Sequence, residues 1–137
     1  MKNVEQFHDG ALEGLLIEEG TLHVFLRAQD GARSVAVVAG LVKLRASDVL
    51  EGSIIYEVLV RGPEEIGSAE IRDLYGASGG AANTEEFAES TAREIRERKA
   101  EMLEINPSYG ASCLALGAAV EILPRRVWQE RFTLGVA

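Results

Sequence analysis

The stretch that decides the fold is Thr84–Ile105, TEEFAESTAREIRERKAEMLEI. Phe87, Ala88, Ala92, Ile95, Met102 and Leu103 recur along it as an apolar stripe, the signature of a helix with one face on a core. Asn83 with Glu86 three residues later fits a capping box. Glu85 and Glu86 suit the positive end of the helix dipole. Glu89/Arg93 and Glu94/Arg98 stand at i,i+4 with the acid first, the better orientation for an ion pair. Asn106-Pro107 reads as the stop, because the residue before proline is pushed out of the helical region. The pattern predicts one long helix over about 84–105.

Upstream of that helix the period changes from 3.6 to 2. Residues 11–61 read as a meander of strands. In TLHVFLRA, Leu22, Val24 and Leu26 alternate with Thr21, His23, Phe25 and Arg27, which makes a half-buried strand with His23 on its polar face. Gln29-Asp30-Gly31 signals a hairpin, since Gly accepts the positive φ of a tight turn. ARSVAVVA and LVKLRA follow, with Gly40 marking a bulge or bend between them. SIIYEVLVR has apolar residues on both faces and reads as a central strand. Glu64–Tyr75 suits a short helix, and GASGGAAN (76–83) a flexible connection. Downstream, Leu114, Leu116, Ala118, Val120 and Ile122 alternate, and RVWQERFTL reads as a closing strand with Trp128, Phe132 and Leu134 on one face. The expected architecture is a single α+β domain over 1–137. It is a strongly bent antiparallel sheet of about six strands, with the one long helix packed on a face.

The 137 residues suffice for one hydrophobic core. The formal net charge of −8 repels phosphate backbones, and Arg125–Arg126 is too short a basic run to offset it, so nucleic acid is not an expected partner. The longest apolar run, SCLALGAAVEIL, is interrupted by Glu121 and falls short of the roughly 18 apolar residues of a membrane span. MKNVEQFHDG lacks the apolar region of a secretory signal, which makes the cytoplasm the default location. Cys113 is the only cysteine, so no internal disulfide and no cysteine-rich zinc site can form. It sits in an apolar strand with no base nearby and reads as a core residue.

The candidate ligand or contact residues are His8, Asp9, His23 and Tyr109. A His beside an Asp suggests acid–base work, but neighbours on a strand face opposite ways, so the pair needs a turn. The blander reading is that Asp9-Gly10 supplies the turn and His8 caps or packs. His8 and His23 with Glu13 or Glu18 would make a two-His, one-carboxylate set only if a hairpin brought them together; no metal site is expected. Tyr109, bracketed by Pro107 and Gly110, is either a contact residue or a plug at the end of the sheet. GASGGAAN lacks the Lys and Ser/Thr of a phosphate-binding loop, and no cofactor is expected. Glu89, Glu94, Glu97, Glu101 and Glu104 on the predicted helix form an acidic face on which a basic protein could dock.

Four segments carry a resemblance: FHDG (7–10), EGSIIYEVLV (51–60), IRDLYG (71–76) and NPSYGAS (106–112). Together the chain resembles a group of small uncharacterised bacterial α+β proteins, some similar in outline to immunity proteins of contact-dependent toxin systems. The resemblance implies a bacterial cytosolic protein with a protein-binding role and transfers no catalytic residue. The leading expectation is a non-enzymatic interaction module that neutralises a basic partner. One alternative is a small-ligand or metal-dependent hydrolytic site at a sheet mouth. The other is a homo-oligomer, such as a homodimer, assembled through a sheet edge or the Trp128/Phe132 face.

Overall fold

The computed structural model describes residues 1–50, 52–76 and 85–132. Among these described residues nine strands form: β1 (Lys2–Asn3), β2 (Ala11–Glu18), β3 (Thr21–Arg27), β4 (Arg33–Ala39), β5 (Lys43–Ser47), β6 (Ile54–Arg61), β7 (Glu101–Tyr109), β8 (Ser112–Gly117) and β9 (Ala119–Pro124). Three short helices accompany them: α1 (Ser68–Tyr75), α2 (Glu85–Arg98) and α3 (Arg125–Arg131). The strands lie in the order β5-β8-β7-β6-β2-β3-β4-β9, every pair antiparallel, with β1 beside β6.

That path divides into two four-stranded halves, β2-β3-β4-β9 and β5-β8-β7-β6. Two passages of chain join them. In the first, β4 continues into β5 while β8 continues into β9. Ala39 faces Ala119 and Lys43 faces Leu116, so three residues on one line oppose two on the other, which is a bulge. Gly40 takes the positive φ of 57° there. Gly117 lies so close to the opposite line that a Cβ would stand 2.6 Å from Val38 Cγ1 and 2.7 Å from the Ala39 carbonyl. In the second passage, the amino-terminal segment follows β6, with Val4 N–H donating to Val58 O and Asp9 N–H to Ile55 O, both at 2.9 Å. Ala11 faces both Ile54 and Arg27; from there the chain leaves β6 and continues along β3, with a register slip at Leu12/Gly14. Strands that change partner at bulges are how one core is wrapped by two sheet halves.

The main core lies against both halves. It includes Leu22, Val24, Leu26, Ala36 and Val38 from one, and Ile55, Val58, Leu103, Ile105, Cys113 and Ala115 from the other, with Phe7 among them. Each outer face is partly covered. Helices α1 and α2 pack Ile71, Leu74, Ala88, Ala92 and Ile95 onto Met102 and Leu116. Helix α3 packs Trp128 onto Val35, Val37 and Leu123, with Phe25, Val127 and Phe132 beside them.

The expected architecture is corrected in three respects. The sheet has nine strands rather than about six. It is not strongly curled, and its two halves are joined through bulges rather than by a continuous bend. No single long helix covers it, because the helix predicted over 84–105 ends at Arg98. Lys99 turns left-handed with φ 56°, its N–H reaches Arg96 O, and Ala100 N–H reaches Ile95 O at 3.1 Å. That is a Schellman stop with the customary apolar contact, since Ile95 and Ala100 share a core. Residues 101–109 are then strand β7, so NPSYGAS is largely strand rather than loop. At the other end of the chain, Arg125–Arg131 is helix rather than closing strand, and Leu134 lies outside the described residues. The hairpin at Asp30-Gly31 and the bulge at Gly40 form where the sequence placed them, and the short helix expected over 64–75 forms over Ser68–Tyr75. The connection 76–83, apart from Gly76, and the capping residue Asn83 lie outside the described residues.

Candidate functional site

His8 follows a single 3-10 turn (Glu5–Phe7) that Phe7 anchors in the core. The next residue, Asp9, takes a left-handed φ of 63°, and Gly10 is pressed onto the backbone of Arg27 and Ala28. This is the turn that an adjacent His–Asp pair requires. It brings His8 Nε2 to 3.6 Å from Asp9 Oδ2, while Nδ1–H donates to Tyr56 O at 2.8 Å. The His8 ring meets the Tyr56 ring edge to face at 5.7 Å between centroids. Both His8 and Asp9 are more than half exposed. Water and salt reach the pair, so its attraction is weak. The geometry suits a recognition contact better than proton transfer in a closed site.

Tyr56 leads to a group of exposed apolar side chains. The pairing of β6 with β7 slips at Ile54/Ile55 and again at Ile55/Glu57. The slips turn Ile54 and Tyr56 outward while Ile55 and Val58 enter the core. Ile54 faces Tyr109 across the strands. Ile54 is 42%, Tyr56 54% and Tyr109 60% exposed. Tyr109 is therefore not a plug. It stands at the far end of β7 from Met102, about 23 Å along the strand at ~3.3 Å per residue, beyond the part that the helices cover.

Beside this patch is a cavity of about 370 Å³ lined by Asn3, Glu5, His8, Tyr56 and Glu57. Glu57 accepts from Asn106 Nδ2 at 2.8 Å. A second cavity, of about 420 Å³, shares Glu5 and His8 with the first and extends to Asp30 on the β3–β4 hairpin.

Of the four residues singled out from sequence, the fold brings His8 and Asp9 together and puts Tyr109 on the patch that Tyr56 shares. It takes His23 elsewhere. His23 is buried on the outer face of β3, not on a polar one, and its Nδ1 accepts from Trp128 Nε1–H at 2.9 Å. The rings of Trp128 and Phe132 stand edge-on to it at 5.7 and 4.9 Å. Burial pushes its pKa below 6.5, opposed by the Glu18 carboxylate. Trp128 and Phe132 are thus occupied by His23, which corrects their reading as an exposed strand face for assembly. The two histidines do not converge: His8 lies by Ala28, just past the end of β3 and five residues along the chain from His23, about 16 Å of extended chain. Among the described residues no group of three His, Cys, Asp or Glu is placed to hold a metal ion.

The acidic face is divided. Glu89, Glu94 and Glu97 lie exposed on α2, with Glu94 paired to Arg98 at 2.8 Å. Glu101 and Glu104 belong to β7 instead. Glu101 accepts from Val120 N–H at 2.8 Å, and Glu104 pairs with Arg61 at 3.0 Å. Cys113 is buried, and desolvation pushes its thiol up to about 12, so it is inert in the folded chain.

Sequence reasoning missed Tyr56, Glu5 and Glu57. Strict alternation groups Ile54 and Tyr56 with Val58 and Val60, and nothing local announces the slips that separate them. Comparison of the chain with protein-family models, curated proteins and solved structures gives no match. No helix among the described residues is long and apolar enough to cross a membrane.

Proposed function

We propose that the protein is a non-enzymatic interaction module of the cytoplasm that engages, and by covering neutralises, a basic protein partner. The observation that carries this reading is the patch of Ile54, Tyr56 and Tyr109. It is three large, exposed apolar side chains held on paired strands beside carboxylates. Isolated exposed apolar residues need no explanation, but an adjacent group rimmed by charge is typical of a contact surface. Tyrosine supplies much contact area at little entropic cost and is enriched among energetic anchors. Paired strands pre-organise those anchors, which lowers the cost of ordering them on binding. A net charge of −8 steers a basic partner toward this surface. The outline resemblance to immunity proteins agrees with a neutralising role.

The test is a photo-crosslinking side chain placed at position 54 or 109, with position 89 on α2 as the control. The expected result is one basic protein crosslinked from 54 and 109 and not from 89. Crosslinks solely to a second copy of the chain would replace this reading with a homodimer. Equal crosslinking from all three positions would defeat both.

A further inference from the structure

Two cavities share Glu5 and His8 in their lining; taken together as a groove, they are one-sided in charge. Glu57 stands in the first cavity, Asp30 in the second, and Glu5 in both. No Lys or Arg lines either cavity among the described residues. Among the described residues none of the three has an ion pair, although Asp30 accepts from Ala32 N–H and Glu57 from Asn106 Nδ2, whereas Glu13, Glu94, Glu104 and Glu121 elsewhere each meet an arginine. The first cavity also has the ring of Tyr56 as a wall, and aromatic faces attract cations as carboxylates do.

We infer that this groove receives a basic, extended segment of the partner, with an arginine or lysine side chain in each cavity, astride His8. The inference rests on the interaction reading above and names the chemistry that the groove selects. The volumes of about 370 and 420 Å³ admit long cationic side chains. Glu5 can contact both cations, Glu57 and Asp30 one each, and Tyr56 adds a flat surface that suits a guanidinium.

The test uses acetylated, amidated hexa-arginine in 150 mM salt, where the Debye length of about 8 Å limits a diffuse charge effect. Glu5→Gln, Glu57→Gln and Asp30→Asn are compared with Glu89→Gln and Glu97→Gln, which remove the same charge from α2. Thermal melts confirm that each variant is folded. Glu5→Gln is expected to weaken binding at least fivefold, Glu57→Gln and Asp30→Asn about threefold, and the α2 variants less than twofold. Equal losses across all five variants would overturn the groove in favour of net charge. So would the absence of binding to the unaltered protein at millimolar peptide. Spermine binding as tightly as the peptide would reduce the site to a polyamine sink. Retained crosslinking from positions 54 and 109 alongside any of these failures would leave the interaction reading standing and remove only the groove.

Discussion

The two histidines of this chain sit in opposite surroundings. His23 lies under α3, its ring enclosed by Trp128 and Phe132 and its Nδ1 satisfied by an indole N–H. His8 stands at the rim of a groove, fixed through a backbone carbonyl and otherwise open to water. The difference lies in what covers each strand face. Helix α3 closes the outer side of β3 and β4, while α1 and α2 stop short of the far end of β6 and β7. The covered histidine is part of the architecture. The uncovered one, with Tyr56, Ile54 and Tyr109, belongs to the exposed surface proposed above as a partner contact.

The largest effect that sharpens this contrast comes from truncating one aromatic on each side. Trp128→Ala should cost about 3–5 kcal/mol in chemical denaturation, because it empties a packed site and leaves His23 without its donor. Tyr56→Ala should cost no more than about 1 kcal/mol, since that ring is half exposed. Comparable losses at both sites would break the contrast. The histidines themselves come next. His23→Ala should cost about 2 kcal/mol, since it leaves the Trp128 N–H buried without an acceptor. His8→Ala should stay within about 0.5 kcal/mol.

A smaller effect is set by pH. Burial lowers the His23 pKa below its unfolded value of 6.5, so between those two values the unfolded chain binds more protons than the folded one. Stability from neutral His23 is therefore complete above about pH 6.5 and is lost as pH falls through the folded pKa. Denaturation midpoints at pH 7.5 and 5.0 should differ less in His23→Gln than in the unaltered protein. An unchanged pH response in His23→Gln would show that the imidazole titrates freely and is not enclosed.

The same elements show how far the sequence could be read. The strand meander, the Asp30-Gly31 hairpin and the bulge at Gly40 were legible because their glycines advertise positive φ. The end of α2 was not, because the left-handed stop falls on Lys99 instead of a glycine. Met102 and Leu103 then continue the helical stripe by coincidence, although they belong to β7. Helix α3 was hidden by arithmetic: Trp128 and Phe132 are four apart, a spacing that suits one face of a helix and one face of a strand alike. That misreading carried over to His23, which looks polar-faced only while the segment that covers it is taken for a strand. His8, Asp9 and Tyr109 could be singled out by residue type. Their partners Tyr56, Glu5 and Glu57 could not, because two register slips in β6 and the path of residues 2–11 along it decide which side chains share the groove.

The most direct test of the account is calorimetric. Once the crosslinked partner is purified, its Kd is measured against the unaltered protein, Tyr109→Ala and Glu89→Gln at 150 mM salt. The account predicts at least a tenfold weaker Kd for Tyr109→Ala, about 1.4 kcal/mol, and a change under twofold for Glu89→Gln. A Tyr109→Ala protein that binds as tightly as the unaltered one would contradict it, and would show that the uncovered end of β6 and β7 is not where this chain meets its partner.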